Sequence, residues 1–453
     1  MGIAKPETQT SPWSQFPGSP AGTARHDDIY FVDENTGWSV RAAGLIHKTT
    51  DGGNTWALKL TKTGTHFRCI GFTSPSRGFA GNLGVGSYDA VVTDSNVLYQ
   101  TFDGGDTWKN VPGFAEEGMK GLCAMYILDA NHVYGGGRVR GPAYFIKSTD
   151  GGANWTIRNL TAMGVMNGIM DIYFQDPLNG FVVGMDPNKF SADCSPPYHG
   201  RLAKTTDGGE TWTPVLTTDI SCGYLWKMSW PTPQIGYVSM QQNGSYSEIA
   251  YYKTTDGGNN WVLKEIPLSS LGLGSSSFYL QGIGFVSPDE GWVGGTAGIA
   301  YPSSFLHTSD GGDTWSKSGY NNTYRINRIR FLNSGFGVAA GERLHVFRLR
   351  PPPPVTPSKI NGTVGQWEKG AVNTPADVST VQRLLQTAAQ KLNDPSLDPK
   401  GIDGKIAHVA ANSNTVSAIQ AFQTRSALEV TGLIEPADET WTKLLAAAGE
   451  TTP

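Results

Sequence analysis

The sequence predicts an all-β, seven-bladed propeller followed by a small three-helix domain. Three observations support this fold class: a strand–turn–strand motif occurs seven times, a glycine-rich turn motif occurs six times, and four consecutive prolines separate both from a helical C-terminal segment. The 57 Gly, 11% aromatic and only 16% charged residues are typical of many short strands joined by tight turns. The predicted boundaries are 1–350 for the propeller, 351–374 for a Pro-rich linker and 375–453 for the helical domain.

The strand–turn–strand motif defines the blades. Each copy alternates apolar and polar residues over a short strand, turns at polar or glycine residues, and continues as a second apolar strand. The seven copies occupy residues 29–40, 70–81, 125–136, 172–184, 228–240, 283–295 and 329–341. Seven copies predict seven inner strand pairs, one for each blade.

The glycine-rich turn motif, called the box below, follows six of the seven strand pairs. It reads TTDGGNTW at 49–56 and recurs at 101–108, 148–155, 205–212, 254–261 and 308–315. The box aspartates are Asp51, Asp103, Asp150, Asp207, Asp256 and Asp310, and their successive separations of 52, 47, 57, 49 and 54 residues suit one four-stranded blade each. A short carboxylate accepts N–H bonds within such a turn and glycine supplies its positive φ, so we interpret the boxes as structural and not catalytic.

The seventh blade has no box of its own. Its last strand, within GERLHVFRLR (341–350), runs into the prolines, which cannot continue a central strand. The N-terminal text SPWSQFP (11–17) is similar to the text that follows other boxes, such as TWALKLT (55–61). We therefore expect the N-terminal strand to close the last blade, which removes exposed sheet edges.

The C-terminal segment has the pattern of three helices. Thr374 and Pro375 have the residue types of an N-cap and a first helical position. An apolar face follows, made of Val378, Val381, Leu384, Leu385, Ala388 and Leu392. A second helix is expected after Ser413, and a third near Pro436 with Trp441 facing inward.

Two family resemblances follow from these motifs. The boxes resemble those of the Asp-box (BNR) families, and together with the inner-strand text they most resemble photosystem II assembly factor propellers, over roughly residues 11–350. The segments STVQRLLQ (379–386), GIDGKI (401–406), TVSAIQAFQ (415–423) and LEVTGLIEPADETW (428–441) are similar to the peptidoglycan-binding domain 1 family. The positions that match its motif are Asp403, Gly404, Phe422, Gln423 and Trp441. The second resemblance implies mainly fold-defining roles for the DG turn and the FQ helix, and the insertions SLDPK (396–400) and HVAANSN (408–414) depart from the pattern beside the implied glycan groove.

A ligand site of the propeller is expected on the face opposite the boxes, called the upper face below. Variable loops at 82–98, 138–143, 185–201, 241–250 and 296–305, together with the starts of the inner strands, supply its candidates. The candidate ligand contacts are Arg68, Tyr88, Asp171, Tyr198, His199, Trp226, Lys227, Tyr246, Tyr279, Tyr301, Tyr324, Arg325 and Arg328. Aromatic rings with convergent polar groups suit either a glycan or a protein, and the same residues could simply fill the channel. Asp28 and Asp171 are the best carboxylate pair for a glycosidase, but their strands are not in adjacent blades.

These motifs predict a non-enzymatic, bacterial cell-wall-associated binding protein. In this prediction the C-terminal domain engages peptidoglycan or another wall glycan, and the upper face recognises a glycan or a protein. One alternative is a glycoside hydrolase, sialidase-like or another exo- or endo-glycosidase, that a cell-wall-binding module targets. The other is a scaffold or assembly factor, or a component or cargo of a secretion or contractile injection apparatus.

Composition narrows the partners and the location. The net charge of −4, the lack of CxxC spacing and the lack of a long apolar run predict no nucleic acid, no metal or other cofactor and no membrane insertion. A cell-surface, periplasmic or extracellular location is expected, although the polar N-terminus has no visible signal peptide. The four cysteines leave two interpretations open: free buried thiols, or a Cys194–Cys222 disulfide in an oxidising compartment.

Overall fold

A computed structural model gives the fold of residues 11–22, 24–86, 91–188, 194–242, 248–273, 279–296, 305–320, 325–348, 358–402, 404–407 and 409–448. The chain divides into two compact units, Met1–Leu349 and Arg350–Pro453. The first unit consists of seven four-stranded antiparallel sheets, and the second contains three α-helices and a two-stranded sheet. The predicted seven-bladed propeller and three C-terminal helices are confirmed. No helix in the described ranges is both long and apolar enough to cross a bilayer.

The first four blades follow strand β1 (Trp13–Gln15) along the chain. Blade 1 contains β2 (His26–Phe31), β3 (Gly37–Arg41), β4 (Leu45–Thr49) and β5 (Ala57–Thr61). Blade 2 contains β6 (Phe67–Phe72), β7 (Gly78–Asn82), β8 (Leu98–Thr101) and β9 (Lys109–Val111). Blade 3 contains β10 (Ala124–Ile127), β11 (Val133–Gly137), β12 (Tyr144–Ser148) and β13 (Thr156–Asn159). Blade 4 contains β14 (Gly168–Phe174), β15 (Gly180–Met185), β16 (His199–Thr205) and β17 (Thr213–Ser221).

The last three blades complete the ring. Blade 5 contains β18 (Gly223–Ser229), β19 (Gly236–Gln242), β20 (Glu248–Thr254) and β21 (Val262–Pro267), and a short 3-10 helix, Leu268–Leu271, follows it. Blade 6 contains β22 (Tyr279–Phe285), β23 (Gly291–Thr296), β24 (Phe305–Thr308) and β25 (Ser316–Lys317). Blade 7 contains β26 (Ile326–Asn333), β27 (Phe336–Gly341), β28 (Leu344–Arg348) and, as its outermost strand, β1.

Strand β1 closes the ring as the sequence predicts. It pairs antiparallel with β28, with Trp13 opposite Phe347 and Gln15 opposite His345. The Trp13 side chain is only 2% exposed, and its ring stacks on Phe305 with centroids 4.8 Å apart. Closure therefore rests on backbone pairing and on a buried aromatic contact with the neighbouring blade.

Aromatic pairs join neighbouring blades around the ring. In each, the aromatic residue of a second strand stacks on the aromatic residue that ends the inner strand of the next blade. Such pairs are Trp38–Phe72, Tyr134–Phe174 and Tyr237–Phe285, with ring centroids 3.5, 3.7 and 3.5 Å apart. The glycine at the start of the second strand leaves room for the ring of its own blade, since a Cβ on Gly37 would lie 2.5 Å from the Phe31 ring.

The boxes form the turns between the third and fourth strands of six blades. In the first box, Thr49 donates to Asp51 Oδ1 at 2.8 Å, and Asp51 accepts from the Thr55 N–H at 2.9 Å and from the Thr55 hydroxyl at 2.6 Å. The same Asp-centred contacts recur at Asp103, Asp150, Asp207, Asp256 and Asp310. These bonds hold the pKa of Asp207 at about 2, the side-chain bond from Thr211 contributing most. The box carboxylates are thus ionised acceptors within their own turns.

The second unit has its own core. Its elements are β29 (Val364–Gly365), α1 (Pro375–Lys391), α2 (Asn414–Arg425), β30 (Leu433–Ile434) and α3 (Glu439–Ala448), with 3-10 turns at Trp367–Lys369, Pro395–Leu397 and Ala410–Asn412. Helix α2 begins after Ser413, whose hydroxyl accepts from the Val416 N–H at 3.2 Å, as the sequence predicts. The buried faces of the three helices meet around Leu384, Ile419 and Leu444.

The predicted linker, 351–374, extends too far toward the C-terminus. Residues 358–374 are part of the second unit: Val364 is fully buried and pairs with Ile434, and the N–H groups of Asn361 and Gly362 donate to the Asp377 carboxylate. A two-residue strand has no recognisable periodicity, so the predicted boundary was placed at the helix N-cap, Thr374. Residues 351–357 lie outside the described ranges.

Candidate functional site

Seven charged side chains from five inner strands meet across the central channel. They are Asp27, Asp28, Arg68, Asp171, Lys227, Arg328 and Arg330. In six of the seven described blades, the pairing register shifts near the start of the inner strand. The shift inserts an extra residue there. Two successive polar residues, such as Asp27 and Asp28, therefore both reach neighbours in other blades.

Arg328 is the centre of the lower of two ion clusters. Its Nη1 lies 3.0 Å from Asp171 Oδ1 in blade 4, and its Nε lies 3.2 Å from Asp28 Oδ1 in blade 1. Arg330 Nη2 also contacts Asp28, at 2.9 Å, and Lys227 Nζ lies 3.6 Å from Asp171. The expectation that Asp28 and Asp171 lie apart because their blades are not adjacent is wrong, since the channel is narrow enough for one guanidinium to contact both.

The electrostatics of Asp171 do not suit the acid of a glycosidase. Burial raises the pKa of Asp171, but the charges of Arg328 and Lys227 outweigh burial and hold that pKa below its usual value. Burial, followed by the Arg328 charge, lowers the pKa of Lys227 to about 8, and its ammonium donates to the Met170 carbonyl at 2.7 Å. A glycosidase acid needs a carboxyl with a raised pKa, which Asp171 does not have.

The upper ion cluster surrounds Asp27. Its fully buried carboxylate accepts from Arg25 Nε at 2.6 Å, from His66 Nε2 at 2.8 Å and from Arg68. Burial raises the pKa of Asp27, but Arg25 and Arg68 lower it further than burial raises it. The Arg68 guanidinium also lies 5.5 Å from the Trp226 ring, a cation–π contact across the channel.

Four arginines, called the basic rim below, lie at the upper ends of strands in the adjacent blades 7 and 1. They are Arg25, Arg41, Arg325 and Arg343. The sequence prediction named only Arg325 among these four. The other three lie at strand ends beside upper-face turns, and this position could have identified them. Two carboxylates lie close to these arginines along the chain: Asp27, which is paired with Arg25, and Glu342.

Burial, with a smaller contribution from two of the rim arginines, lowers the pKa values of three histidines beneath the basic rim. Burial first and the Arg41 charge second lower the pKa of His26 to about 3 and that of His47 to about 4. Burial and Arg343 lower the pKa of His345 to about 3. Arg343 also lowers the pKa of Arg41, second to burial, so the two guanidinium groups are close.

Several predicted upper-face aromatics are core residues. Tyr198 is 1% exposed and stacks on Tyr224 with ring centroids 5.3 Å apart, in an apolar cluster that includes Trp226. A Cys194–Cys222 disulfide, with Cα atoms 5.7 Å apart, lies against this cluster and decides between the two cysteine interpretations; Cys69 and Cys123 are buried free thiols. His199 Nδ1 donates to the Thr218 carbonyl at 2.9 Å.

The remaining predicted contacts of the propeller are not characterised by this structure. Tyr88, Tyr246, Tyr301 and Tyr324 lie outside the described residues, and Tyr279 is described only as the first residue of β22. Among the predicted contacts, the channel thus brings together Arg68, Asp171, Trp226, Lys227 and Arg328. Their role as ligand contacts stays a prediction.

Sequence reasoning missed the lower end of the channel. Tyr30, Tyr126, Tyr173 and Trp230, called the aromatic mouth below, line a cavity of about 310 Å³ that also reaches Asp171, Arg328 and Arg330. These residues lie near the ends of inner strands, on the box side. At these positions the motif has the pattern of an ordinary buried strand. Only the recurrence of tyrosine could have indicated the site, in IYF (29–31), MYI (125–127) and IYF (172–174).

In the second unit, the motif residues make internal contacts. The Gly404 N–H donates to Gln382, Gln423 bonds the backbone of Leu433 and Gly432, and Phe422 and Trp441 are buried in the core. Asp403 lies outside the described residues. A groove of about 400 Å³ runs beside the DG turn, lined by Gln382, Lys400, Asn414 and Thr415 among others. Peptidoglycan binding in this groove stays a prediction.

Comparison with known proteins places the propeller near one group. No family model matches the sequence. The photosystem II assembly lipoprotein Ycf48 of Picosynechococcus sp. is 26% identical over 348 residues, covering 66% of this chain and 89% of the relative. The structure of YCF48 bound to D1 peptide is similar with a TM-score of 0.52 and 17% identity, covering 75% of this chain and 98% of that one. YCF48 from Cyanidioschyzon merolae gives 0.54 and 17%, covering 74% and 98%.

The same fold also occurs in an enzyme. The GH74 xyloglucanase from Xanthomonas campestris is similar with a TM-score of 0.50 and 12% identity, covering 75% of this chain and 54% of that one. The first unit is therefore a seven-bladed propeller that resembles Ycf48. At these identities the structural likenesses show the fold alone, so function must be argued from the site.

Proposed function

We propose that this protein is a non-enzymatic scaffold or assembly factor whose propeller binds an acidic segment of a protein partner at the upper face. The basic rim is the observation that carries the proposal. Its four arginines lie on blades 7 and 1, and two of them, Arg41 and Arg343, add to the burial that lowers the pKa values of the histidines beneath them. The Ycf48 relative is an assembly protein by name, and a YCF48 propeller has been solved with a bound peptide, which supports a protein partner.

Arginine chemistry supports the choice of an acidic partner. The guanidinium group binds carboxylates through two parallel N–H···O bonds and loses less hydration than an ammonium group. Arg25, Arg325 and Arg343 are partly exposed, and Asp27 already neutralises part of the charge of Arg25. A surface lined by arginines attracts anionic segments and speeds their association.

The channel carboxylates argue against an enzyme. Asp27, Asp28 and Asp171 are all buried, and each contacts two or more cationic side chains. A glycoside hydrolase that uses a carboxyl pair needs one protonated and one free carboxyl group at the reacting bond. The ion clusters instead stabilise the start of the inner strands beneath the proposed binding surface.

The disulfide supports the proposed location. Disulfides persist in oxidising compartments and are rare where thiols are kept reduced. The Cys194–Cys222 bond joins two segments next to the upper-face apolar cluster. We therefore retain a periplasmic, cell-surface or extracellular location as part of the proposal, and the free thiol content of the natively isolated protein checks it: four reactive thiols after unfolding would contradict it.

The binding proposal is tested with a fluorescent ten-residue peptide of alternating Glu and Ala. We expect it to bind the full chain at low salt and to dissociate as salt rises, because exposed charges are screened over about 10 Å at 0.1 M. Arg343→Glu should weaken binding at least tenfold. Lys109→Glu makes the same charge change on the exposed outer strand of blade 2 and should leave binding nearly unchanged. Equal affinity of the two variants, or no binding by the folded wild type, would contradict the proposal.

A further inference from the structure

We propose that the aromatic mouth binds a proline-rich segment, in the polyproline II conformation, of a protein partner. This inference rests on the proposed function, since it names a partner class for a protein-binding propeller. It concerns the opposite end of the channel from the basic rim, so the two sites are tested separately.

The aromatic mouth forms a continuous run of rings across three blades. Tyr126 of blade 3 contacts Tyr173 of blade 4 edge-on, with ring centroids 5.3 Å apart. Tyr173 stacks on Trp230, which follows β18 of blade 5, at 5.0 Å and an interplanar angle of 8°. Tyr30 of blade 1 lies on the same cavity, and all four side chains are partly exposed. The cavity volume of about 310 Å³ admits a few residues of an extended chain and not a folded domain.

The rings also present hydrogen-bond donors that the described residues do not use. The hydroxyls of Tyr30, Tyr126 and Tyr173 make no hydrogen bond to any described residue. Burial raises the pKa of all three tyrosines, that of Tyr173 to about 12, so they remain protonated donors at neutral pH.

A polyproline II segment complements this arrangement. It has no internal hydrogen bonds, so its carbonyl groups are available as acceptors, and it is already extended before binding. Proline rings pack against flat aromatic side chains, and aromatic-lined grooves with donor groups bind proline-rich segments in other folds. A preformed segment also loses little conformational entropy on binding.

The charges that line the cavity disfavour a cationic ligand. They are one carboxylate, Asp171, and two guanidinium groups, Arg328 and Arg330. The surplus cation disfavours a quaternary ammonium or methylated lysine, the other common occupants of aromatic cages.

The test measures binding of a labelled decaproline peptide to the full chain by fluorescence anisotropy. We expect saturable binding of decaproline and none of a Gly-Ser decapeptide at the same concentration. The double variant Tyr126→Phe/Tyr173→Phe keeps both rings but loses two donors and should bind about tenfold or more weakly. Tyr252→Phe removes the same atom from blade 5 away from the cavity and should bind like the wild type.

Three results would overturn the inference. The first is that the folded chain does not bind decaproline. The second is that the double variant and Tyr252→Phe bind decaproline with equal affinity while both unfold at the same urea concentration as the wild type. Binding of a trimethyl-lysine peptide or a cell-wall oligosaccharide in the cavity, in place of decaproline, also overturns it. If decaproline fails while the Glu-Ala peptide still binds through Arg343, the proposed function stands and only this inference falls.

Discussion

At the scale of single residues, Arg328 links carboxylates from two different blades of the propeller. Its guanidinium joins Asp28 and Asp171, two carboxylates whose burial is compensated only by neighbouring cations. A buried ion pair adds little net stability over an apolar replacement of the whole group, but removal of one partner leaves a buried charge without compensation. Arg328 therefore holds the channel wall in position. Its loss should lower the free energy of unfolding in a way that depends on pH.

Arg328→Met should lower the free energy of unfolding at pH 7 by about 3–5 kcal/mol. Urea unfolding measures this effect, and Arg328→Lys, which keeps the charge without the planar fork, should fall between the wild type and Met. The folded-state pKa of Asp171 lies below its unfolded value of about 3.9, so its contribution is present above that pH and is lost as pH falls further. The stability gap between wild type and Arg328→Met should therefore narrow below about pH 4, and a gap that is absent at pH 7 would refute the argument.

At the scale of elements, the ring depends on contacts between strands far apart in sequence. Strand β1 supplies only three residues, yet Trp13 contacts the Trp292, Phe305 and Phe347 rings at centroid distances of 6.0, 4.8 and 5.4 Å. In the described ring, blade 7 is the blade that the chain completes with its N-terminal strand. Ring closure therefore depends on this aromatic anchor as well as on the short backbone ladder.

Trp13→Ala should destabilise the propeller by about 3–5 kcal/mol, the range for truncation of a large buried side chain. Ser14→Ala changes an exposed residue of the same strand and should shift stability by no more than about 0.5 kcal/mol. Urea unfolding followed by tryptophan fluorescence compares the two variants. Similar midpoints for both would mean that β1 does not hold the ring closed.

At the scale of the whole molecule, the chain combines a propeller with a separately packed helical unit. The second unit has a groove beside its DG turn, lined in part by the two insertions at which its sequence departs from peptidoglycan-binding modules, including Lys400 and Asn414. Tethering of the propeller to the cell wall by this unit stays a prediction from its resemblance to those modules. Both proposals for the propeller concern its own channel ends and do not require the tether.

Tethering predicts that the full chain sediments with purified peptidoglycan sacculi. Asn414→Ala changes an exposed side chain in the groove and should reduce the sedimented fraction several-fold, whereas Thr424→Ala, exposed on the same helix outside the groove, should not. The measurement is the fraction of protein in the pellet at increasing sacculus concentration. A chain that stays in the supernatant at every concentration has no wall-binding activity.

The sequence by itself determined the blade count, the box turns, the closing strand and the C-terminal helices, because these features depend on local periodicity and on glycine and proline preferences. Only the tertiary structure decided which side chains meet in the channel. Arg328 and Asp28 are 300 residues apart, and no local pattern shows that one guanidinium contacts both Asp28 and Asp171. Tyr30 and Tyr173 likewise occupy ordinary strand positions, and they line one cavity only because the ring brings their strand ends together.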